Sequence, residues 1–451
     1  MSVYSSKVLK NFFGTEEMRC IFSDESRVSR FLEIEVALAK VEAKLGVIPK
    51  QAYEEIAERS KNLTIDWERL RNDTESIGYP VVPFLKQLSD VCGPAGEYLH
   101  WGSTTRDITD TATILQVREA LRILDLDIKV VKSALINLVR VHRDTVMAGR
   151  THGMHALPTT FGFRAAIWLS EVDRQIGRLE RVRSSLNAGQ FGGAVGTLSA
   201  LGDQGLNVQR ELMHELGLEP PDIAWFASRD RISEVIFVLA EIAGTMGSIA
   251  KTIIVMTRDE VREAKEPDVA GRGTSSAMPH KHNTVGSELV LVYAKMAAQF
   301  VGTAMEAMVQ DYDRDWQGHF ETIVVPQAFL VTHAGVKQMG FILQGLKIYP
   351  ERMRENLEIT HGLMMAESVM MVLAPKVGRK KAHSLVSAVC DVAIEKQIHL
   401  REALHASELI REHLQPSQIE FALAPENYVG AAGEIVDNVL LKIAGRNQGK
   451  S

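Results

Sequence analysis

The stretch that decides the fold covers residues 108–147 and reads ITDTATILQVREALRILDLDIKVVKSALINLVRVHRDTVM. These 40 residues contain neither glycine nor proline, the two residue types least compatible with a helix interior. Apolar residues recur in the run at alternating steps of three and four, which places them on one face of a helix. They are Ile114, Val117, Leu121, Leu124, Ile128, Val131, Leu135 and Leu138. The run therefore predicts one helix about 60 Å long with a continuous buried stripe.

Four further segments are long and nearly free of helix breakers: residues 163–188, 232–265, 287–325 and 327–347. Five long helices joined by short polar segments predict an all-α fold built on a central helix bundle. After Pro350 the segments are shorter and are separated by Pro375, Pro416 and Pro425. This pattern predicts a small C-terminal helical domain. Before the long run, Ser23 and Asp24 are suited to cap a helix that Gly46 would end.

We therefore expect three domains: an N-terminal helical domain at 1–107, the long-helix bundle at 108–350 and a small helical domain at 351–451. Helices this long carry apolar stripes on more than one side, and five of them do not bury every stripe. The pattern favours a homo-oligomer that shares one bundle.

Composition excludes several classes of protein. Of the 451 residues, 45% are apolar and 6% aromatic, which excludes a disordered or collagenous chain. The formal net charge is −6 with no basic cluster, which argues against a nucleic-acid partner. Cys20, Cys92 and Cys390 are far apart and form no CxxC pair, so we expect a reducing, cytoplasmic environment. The most apolar stretch, residues 232–256, is interrupted by three charges, which favours a buried helix over a membrane span.

The first of three polar motifs, residues 100–107 (HWGSTTRD), directly precedes the long run. Hydroxyl groups at Ser103, Thr104 and Thr105, together with helix N-terminal amides, predict a seat for an anion. A basic residue, Arg106, at the positive end of a helix is not explained by capping alone. The structural alternative is an N-cap from Asp107, Thr109 or Asp110.

The second motif, residues 149–162 (GRTHGMHALPTTFG), places His152 and His155 three residues apart in a predicted turn. Such a pair can act in acid–base chemistry or bind a metal, and the alternative for either one alone is a hydrogen bond within the loop. No third ligand follows at a suitable spacing, so we expect no metal.

The third motif, residues 271–283 (GRGTSSAMPHKHN), lies between two long segments. Its glycines allow mobility, Ser275, Ser276 and the backbone amides can hold an anion, and Lys281 adds positive charge. His280 and His282 could mimic a metal site, but solvent exposure explains them equally well. The motif predicts a mobile anion-binding loop.

Residues 275–283 (SSAMPHKHN) match SSxMPxKxN, the signature of the fumarase/aspartase superfamily. The other two motifs resemble the two remaining signature regions in the same order, and the resemblance covers essentially the whole chain. Thr284 stands where the superfamily usually has proline. The resemblance implies a mostly helical homotetramer in which three subunits contribute to each active site, a small dicarboxylate or succinyl substrate, and no cofactor.

The resemblance also implies an anti β-elimination in which a base removes a proton beside a carboxylate and an acid protonates the leaving group. By position, Ser275 would be the base, and His152 resembles the general acid. Lys281 and Asn283 would hold the carboxylate of the reacting carbon. The remaining substrate-binding candidates are Ser103, Thr104, Thr105, Arg106, His155, Ser276 and Met278.

Within the superfamily, residues 149–162 are similar to adenylosuccinate lyases, but other segments depart from them. Tyr79 and Pro80 stand where those enzymes carry a His-Asp pair. Residues 18–24 (MRCIFSD), 190–198 (QFGGAVGTL) and 313–322 (DRDWQGHFET) resemble the 3-carboxy-cis,cis-muconate cycloisomerases instead.

Most of the chain thus resembles the cycloisomerases, but it carries the Thr-His general acid that bacterial cycloisomerases usually lack. This combination favours a fumarate-releasing C–N lyase that acts on an N-substituted aspartate or a similar succinyl compound. The cycloisomerase is the second hypothesis and adenylosuccinate lyase the third. A non-catalytic helical oligomer is a further alternative, and joint retention of Ser275, Lys281, Asn283 and His152 argues against it. Arg106, where relatives carry Ser or Gln, would pair with an extra anionic group on the substrate.

Overall fold

The structure, a computed structural model, describes residues 6–316 and 319–448. The all-α prediction is confirmed, because helices dominate these residues and only two short two-stranded sheets accompany them. The helices are α1 (Glu16–Ile21), α2 (Asp24–Lys44), α3 (Lys50–Arg59), α4 (Trp67–Ile77), α5 (Val81–Cys92), α6 (Thr105–Val141), α7 (Phe161–Ser185), α8 (Gly205–Glu215), α9 (Asp230–Thr257), α10 (Val285–Glu306), α11 (Phe320–Gly345), α12 (Pro350–Leu357), α13 (Ala366–Val377), α14 (Arg379–Lys396), α15 (Leu400–Ala406), α16 (Glu408–Arg411), α17 (Pro416–Leu423) and α18 (Ala432–Gln448). The strands are β1 (Val146–Thr151), β2 (Met154–Thr160), β3 (Ala264–Lys265) and β4 (Lys347–Ile348).

The predicted long helix is α6, which has 37 residues and is about 56 Å long. All eight residues of the predicted stripe are buried, none more than 6% exposed. The helix ends earlier than predicted, at Val141, although no glycine or proline follows until Gly149. The backbone there pairs with the residues after the hairpin, since the amide of Gly162 donates to the carbonyl of His142 at 2.8 Å.

Two other predicted boundaries were wrong. The segment predicted as one helix over 287–325 is divided, because α10 ends at Glu306 and α11 begins at Phe320. Pro326, the residue that separates the predicted segments 287–325 and 327–347, instead lies inside α11. The true break contains an acidic turn in which Asp315 Oδ2 accepts the amide hydrogen of Asp311 at 3.0 Å. The helix predicted over 232–265 ends at Thr257, and residues 264–265 belong to strand β3.

Other local predictions hold. Ser23 caps α2 by accepting the amide hydrogen of Ser26 at 3.2 Å, and Gly46 follows that helix with φ +75°. The short C-terminal helices are present, but Pro375 lies inside α13 and does not separate two helices.

The described chain divides into two compact units. The first comprises the chain up to Asp127, residues 175–244 and 292–336; the second comprises residues 128–174, 245–291 and the chain from Lys337 onward. In the first unit α2 packs on α3 and α8. In the second, α13, α14, α15 and α17 enclose a core of aliphatic side chains, and α12 packs on β1. The three domains expected at 1–107, 108–350 and 351–451 stay a prediction.

In the described part of the chain, one helix, Asp230–Thr257, is long and apolar enough to cross a membrane. The bent pair Pro350–Thr360 and Leu363–Val377 would be a second such segment if it is counted as one span. In the most apolar part of Asp230–Thr257, 67% of the residues are buried inside the protein. This burial agrees with the buried helix that the sequence predicted.

Candidate active site

The first motif forms the N-terminus of α6, in the first compact unit. Asp107 fixes this end of the helix, because its Oδ2 accepts the amide hydrogen of Thr104 at 3.0 Å. The same carboxylate accepts the amide hydrogens of Gly192 and Gly193 at 2.8 and 2.9 Å. Burial nevertheless raises the pKa of Asp107 to about 6, against the effect of these hydrogen bonds. The N-cap alternative was wrong, because Asp107, Thr109 and Asp110 all lie inside α6, which begins at Thr105. Asp107 instead accepts from the residue before the helix and also holds the turn that contains the two glycines.

A buried carboxylate on α2 holds the loop before α6. Glu35 accepts the amide hydrogen of His100 at 3.0 Å, and its other oxygen lies 2.7 Å from His100 Nδ1. Ser103 Oγ lies 2.8 Å from the same imidazole nitrogen. Burial lowers the pKa of His100, but the Glu35 hydrogen bond and charge outweigh it, so the pKa is raised overall. His100 therefore serves to position Ser103.

The second motif is a β-hairpin in the second unit, and the sequence predicted its turn but not its strands. β1 and β2 pair antiparallel, with Thr151 opposite Met154. His152 and Gly153 form the two-residue turn with φ +52° and +83°, the positive values that tight hairpins favour. This geometry places His152 exposed at the tip of the hairpin.

A buried ion pair anchors the hairpin below its tip. Arg150 donates from Nη1 and Nη2 to the two oxygens of Glu263, at 2.9 and 2.6 Å, and the Glu263 side chain is fully buried. Asn356 Nδ2 donates to the same carboxylate at 2.8 Å. Opposite Arg150 lies His155, whose Nδ1 is buried with no partner in the described residues. Burial, and secondarily the Arg150 charge, lowers the pKa of His155, which favours a neutral imidazole.

The third motif is an exposed loop between β3 and α10 in the second unit, beside a cavity of about 800 Å³. Ser275 Oγ accepts the amide hydrogens of Ala277 and Met278 at 3.3 and 3.0 Å. Two donors aimed at a hydroxyl oxygen favour its ionised form, which is what a serine base requires. Ser276, Met278 and Lys281 are exposed to solvent.

The base of this loop closes on itself through Gly273 and Asn283. The Asn283 amide donates to the carbonyl of Gly273 at 2.9 Å, and its side chain Nδ2 donates there at 3.2 Å. Gly273 has φ +72°, and a Cβ on it would lie 2.5 Å from the carbonyl oxygen of Asn283. Only glycine fits this close approach. In this arrangement the Asn283 side chain helps to hold the two ends of the loop together.

The predicted residues are divided between the two compact units. Ser103, Thr104, Thr105 and Arg106 are adjacent at the start of α6, whereas the other seven belong to the hairpin and the loop of the second unit. The described chain shows no hydrogen bond between His152 and residues 271–283. No group of three His, Cys, Asp or Glu residues suited to a metal occurs among the described residues.

Some residues around the sites had no role in the sequence analysis. Glu35, Glu263 and Asn356 position the motifs, and Arg27 and His319 line a cavity at the first motif. Of these residues, only His319 had a partial signal in the sequence, because it lies in the cycloisomerase-like segment 313–322. Gln317 and Gly318 of that segment lie outside the described residues.

Comparison with known families gives two matches. Residues 13–302 match the protein family described as Lyase, and residues 362–439 match the family described as adenylosuccinate lyase C-terminus.

Individual relatives span nearly the whole chain. The crystal structure of a fumarate lyase from Mesorhizobium sp. BNC1 is 43% identical, with a TM-score of 0.90, covering 95% of this chain and 98% of its own. A 3-carboxy-cis,cis-muconate cycloisomerase from Bradyrhizobium diazoefficiens is 39% identical over 98% of this chain and 99% of its own length. An adenylosuccinate lyase from Pyrococcus abyssi is 37% identical over 95% of this chain and 96% of its own length.

Proposed function

This chain belongs to the fumarase/aspartase superfamily, and from that membership we propose that it is a C–N lyase that releases fumarate from an N-substituted aspartate or a similar succinyl compound. The reaction is an anti β-elimination. Ser275 removes the proton beside a carboxylate, the C–N bond breaks, and His152 protonates the departing nitrogen. Lys281 and Asn283 hold the carboxylate of the reacting carbon, on which negative charge accumulates.

The proposed base is supported by its hydrogen bonds. An isolated serine hydroxyl is too weak an acid to exist as an alkoxide near neutral pH. The amides of Ala277 and Met278 already donate to Ser275 Oγ, and a nearby Lys281 ammonium group would add to their effect. The exposure of Lys281 leaves it available to approach Ser275 when substrate binds.

The observation that carries the C–N preference is the placement of His152. The imidazole stands exposed at the tip of a hairpin that a buried Arg150–Glu263 pair anchors, which leaves it accessible to a substrate. An amine is a poor leaving group unless it is protonated, so a C–N lyase benefits from such an acid. Ring opening of a lactone does not depend on it.

The proposed enzyme is a cytoplasmic homotetramer in which different subunits complete each active site. Each of the five long helices carries a large apolar side chain that is more than a third exposed in the single chain: Leu126, Ile167, Phe237, Met305 and Ile323. In a bundle shared between subunits these side chains would be buried. Light scattering tests the oligomer, and a monomer would contradict the shared site.

Fumarate release tests the reaction. We would incubate the protein with a panel of N-substituted aspartates and follow fumarate by its absorbance. Ser275→Ala is expected to lower turnover by about 10²–10⁴-fold, while Ser384→Ala, on an exposed face of α14, leaves turnover unchanged. Turnover of Ser275→Ala near the wild-type rate would reject Ser275 as the base.

A second candidate is 3-carboxy-cis,cis-muconate cycloisomerase. An arginine-lined cavity at Thr105 and Arg106 supports it, because this substrate carries three carboxylates. Turnover of 3-carboxymuconate, with no fumarate from any succinyl amine, would replace the first proposal by this one.

A further inference from the structure

The segment just before the signature serines, residues 266–272, has no role in the reaction proposed above, although it carries the loop that contains Ser275. Its start is tied to a sheet, because the two oxygens of Asp268 each lie 2.6 Å from a lysine Nζ, one of Lys265 and one of Lys347. These lysines are paired residues of β3 and β4. The loop therefore leaves the second compact unit from an anchored segment.

Beyond this segment, Arg272 attaches the loop to helix α11. Its Nη2 donates to Gln338 Oε1 at 2.8 Å, and its guanidinium lies 5.7 Å from the centroid of the Phe341 ring. Gln338 and Phe341 are three residues apart, so they lie on one face of the helix. The cation–π attraction of the ring adds to the hydrogen bond, and together they hold one side chain of the loop against α11.

Residues 273–282 lack a comparable link to the rest of the unit. In the described chain, their hydrogen bonds join loop residues to one another, at Ser275 and between Gly273 and Asn283. Glycines also flank Arg272, since Gly271 and Gly273 have φ +77° and +72°, values that residues with a side chain rarely adopt. The backbone can therefore turn on either side of Arg272 while its side chain stays in place.

Gln338 also reaches the segment that follows the loop. Its Nε2 is buried without a hydrogen-bond partner in the described residues. A Cβ on Gly286 would lie 2.9 Å from this nitrogen and 3.0 Å from Glu266 Oε2. The other oxygen of Glu266 accepts the amide hydrogen of Ser287 at 2.7 Å, in the first turn of α10. Glycine at 286 thus leaves room for the Gln338 amide in the orientation that accepts from Arg272.

We propose that Arg272 is a positioning residue for the base, because it fixes the signature loop against α11 and thereby keeps Ser275 where the reaction requires it. Arg272 contacts no reacting atom in this role and acts through the two residues that separate it from Ser275. The inference rests on the proposed function, which takes Ser275 as the base. Once Arg272 is detached, the flanking glycines let the loop adopt other positions, so Ser275 is correctly placed for a smaller fraction of the time.

Trypsin tests the position of the loop without any turnover. Lys281 is exposed in the loop, and cleavage after it requires the loop to open locally. In Arg272→Gln this cleavage should become about tenfold faster, the lower end of the factor expected for a hydrogen bond to a charged group. Cleavage after Lys380 and Lys381 in α14 is the internal reference and should keep its wild-type rate.

Turnover of a succinyl amine connects the loop to the reaction. At saturating substrate, kcat of Arg272→Gln should fall about tenfold, in step with the faster cleavage. Arg272→Lys should recover part of both effects, since lysine keeps a charge near Phe341 and a donor for Gln338.

Two variants that leave Arg272 in place should reproduce the loss. Gln338→Met removes the acceptor, and Gly286→Ala displaces the amide that carries it. Gln338→Met also replaces Arg272→Gln should that variant fail to fold. Arg262→Gln is the matched control, because Arg262 is an exposed arginine of the same unit whose charged partner is Asp259, at 3.9 Å. It should keep the wild-type rates of cleavage and turnover.

Wild-type cleavage after Lys281 in both Arg272→Gln and Gln338→Met would overturn the proposal, and so would faster cleavage with an unchanged kcat. Equally accelerated cleavage in α14 would assign Arg272 to general stability and overturn it as well. Absence of fumarate from every succinyl amine with the wild-type protein would instead reject the proposed reaction, and with it the purpose given to the loop. Cleavage after Lys281 would still decide whether Arg272 holds the loop.

Discussion

Replacing Arg150 by methionine tests how the fold holds His152. Arg150 makes two hydrogen bonds to Glu263, whose side chain is fully buried and also accepts from Asn356. Methionine keeps much of the side-chain length and removes the charge and both donors. Glu263 would then be a buried carboxylate with one remaining partner.

The magnitude follows from that orphaned charge. Breaking a buried ion pair by removing one partner costs about 3–5 kcal/mol. Because the Arg150 side chain is 18% exposed, water partly replaces it, and we expect a loss near the lower end, about 3 kcal/mol. The free energy of unfolding, measured in urea by tryptophan fluorescence, should fall by that amount. Turnover of a succinyl amine should also fall, because the hairpin that carries His152 loses its anchor.

Two companion variants separate this explanation from general damage. Arg143→Met removes an arginine whose side chain is 37% exposed and whose partner Asp437 is 48% exposed, so water can replace the pair and the loss should be only about 0–1 kcal/mol. Adding Glu263→Gln to Arg150→Met should restore most of the lost stability, since no buried charge remains and glutamine can still accept from Asn356. A double variant no more stable than Arg150→Met would refute the reasoning, as would an Arg143→Met loss equal to that of Arg150→Met.

Three further predictions concern the acid, a buried carboxyl and the signature loop. His152→Asn should lower turnover of poor leaving groups, such as alkylamines, by about 10²–10⁴-fold and of good ones, such as thiolates, far less; equal losses in steady-state assays would contradict its acid role. Burial, with the Glu35 charge adding to it, raises the pKa of Glu42 to about 9 from its ordinary value of 4.5. The folded protein therefore keeps a proton that the unfolded chain has lost, so wild-type stability should fall with rising pH between these values, by at most about 1.4 kcal/mol per pH unit. Glu42→Gln should remove that slope in urea unfolding at pH 6 and pH 8, and an unchanged slope would show that Glu42 is ionised in the fold. Gly273→Ala should lower kcat/KM more than Gly271→Ala, because both have positive φ but only the Cβ at 273 would collide with Asn283; equal effects would mean that the collision is relieved.

Local and periodic features could be predicted from the sequence because they depend on neighbouring residues. The α6 stripe repeats every turn, so its burial follows from spacing alone, and the Ser23 cap needs only the next three residues. Predicted helix boundaries were wrong where residues distant in the sequence decide where a helix ends. Just after α6 ends at Val141, the backbone pairs with Gly162, and Pro326 lies inside α11 although proline usually interrupts a helix.

The sequence by itself determined the fold class, the family and the identity of the three motifs, because these are carried by short patterns of residue types. Only the tertiary structure decided which side chains surround those motifs. Glu263 reaches Arg150 across 113 positions and Glu321 reaches Arg229 across 92, separations at which no local pattern signals contact. A buried charge needs a partner that only the folded chain brings near, so the Glu263 anchor of the hairpin that carries His152 becomes visible only when the chain is folded.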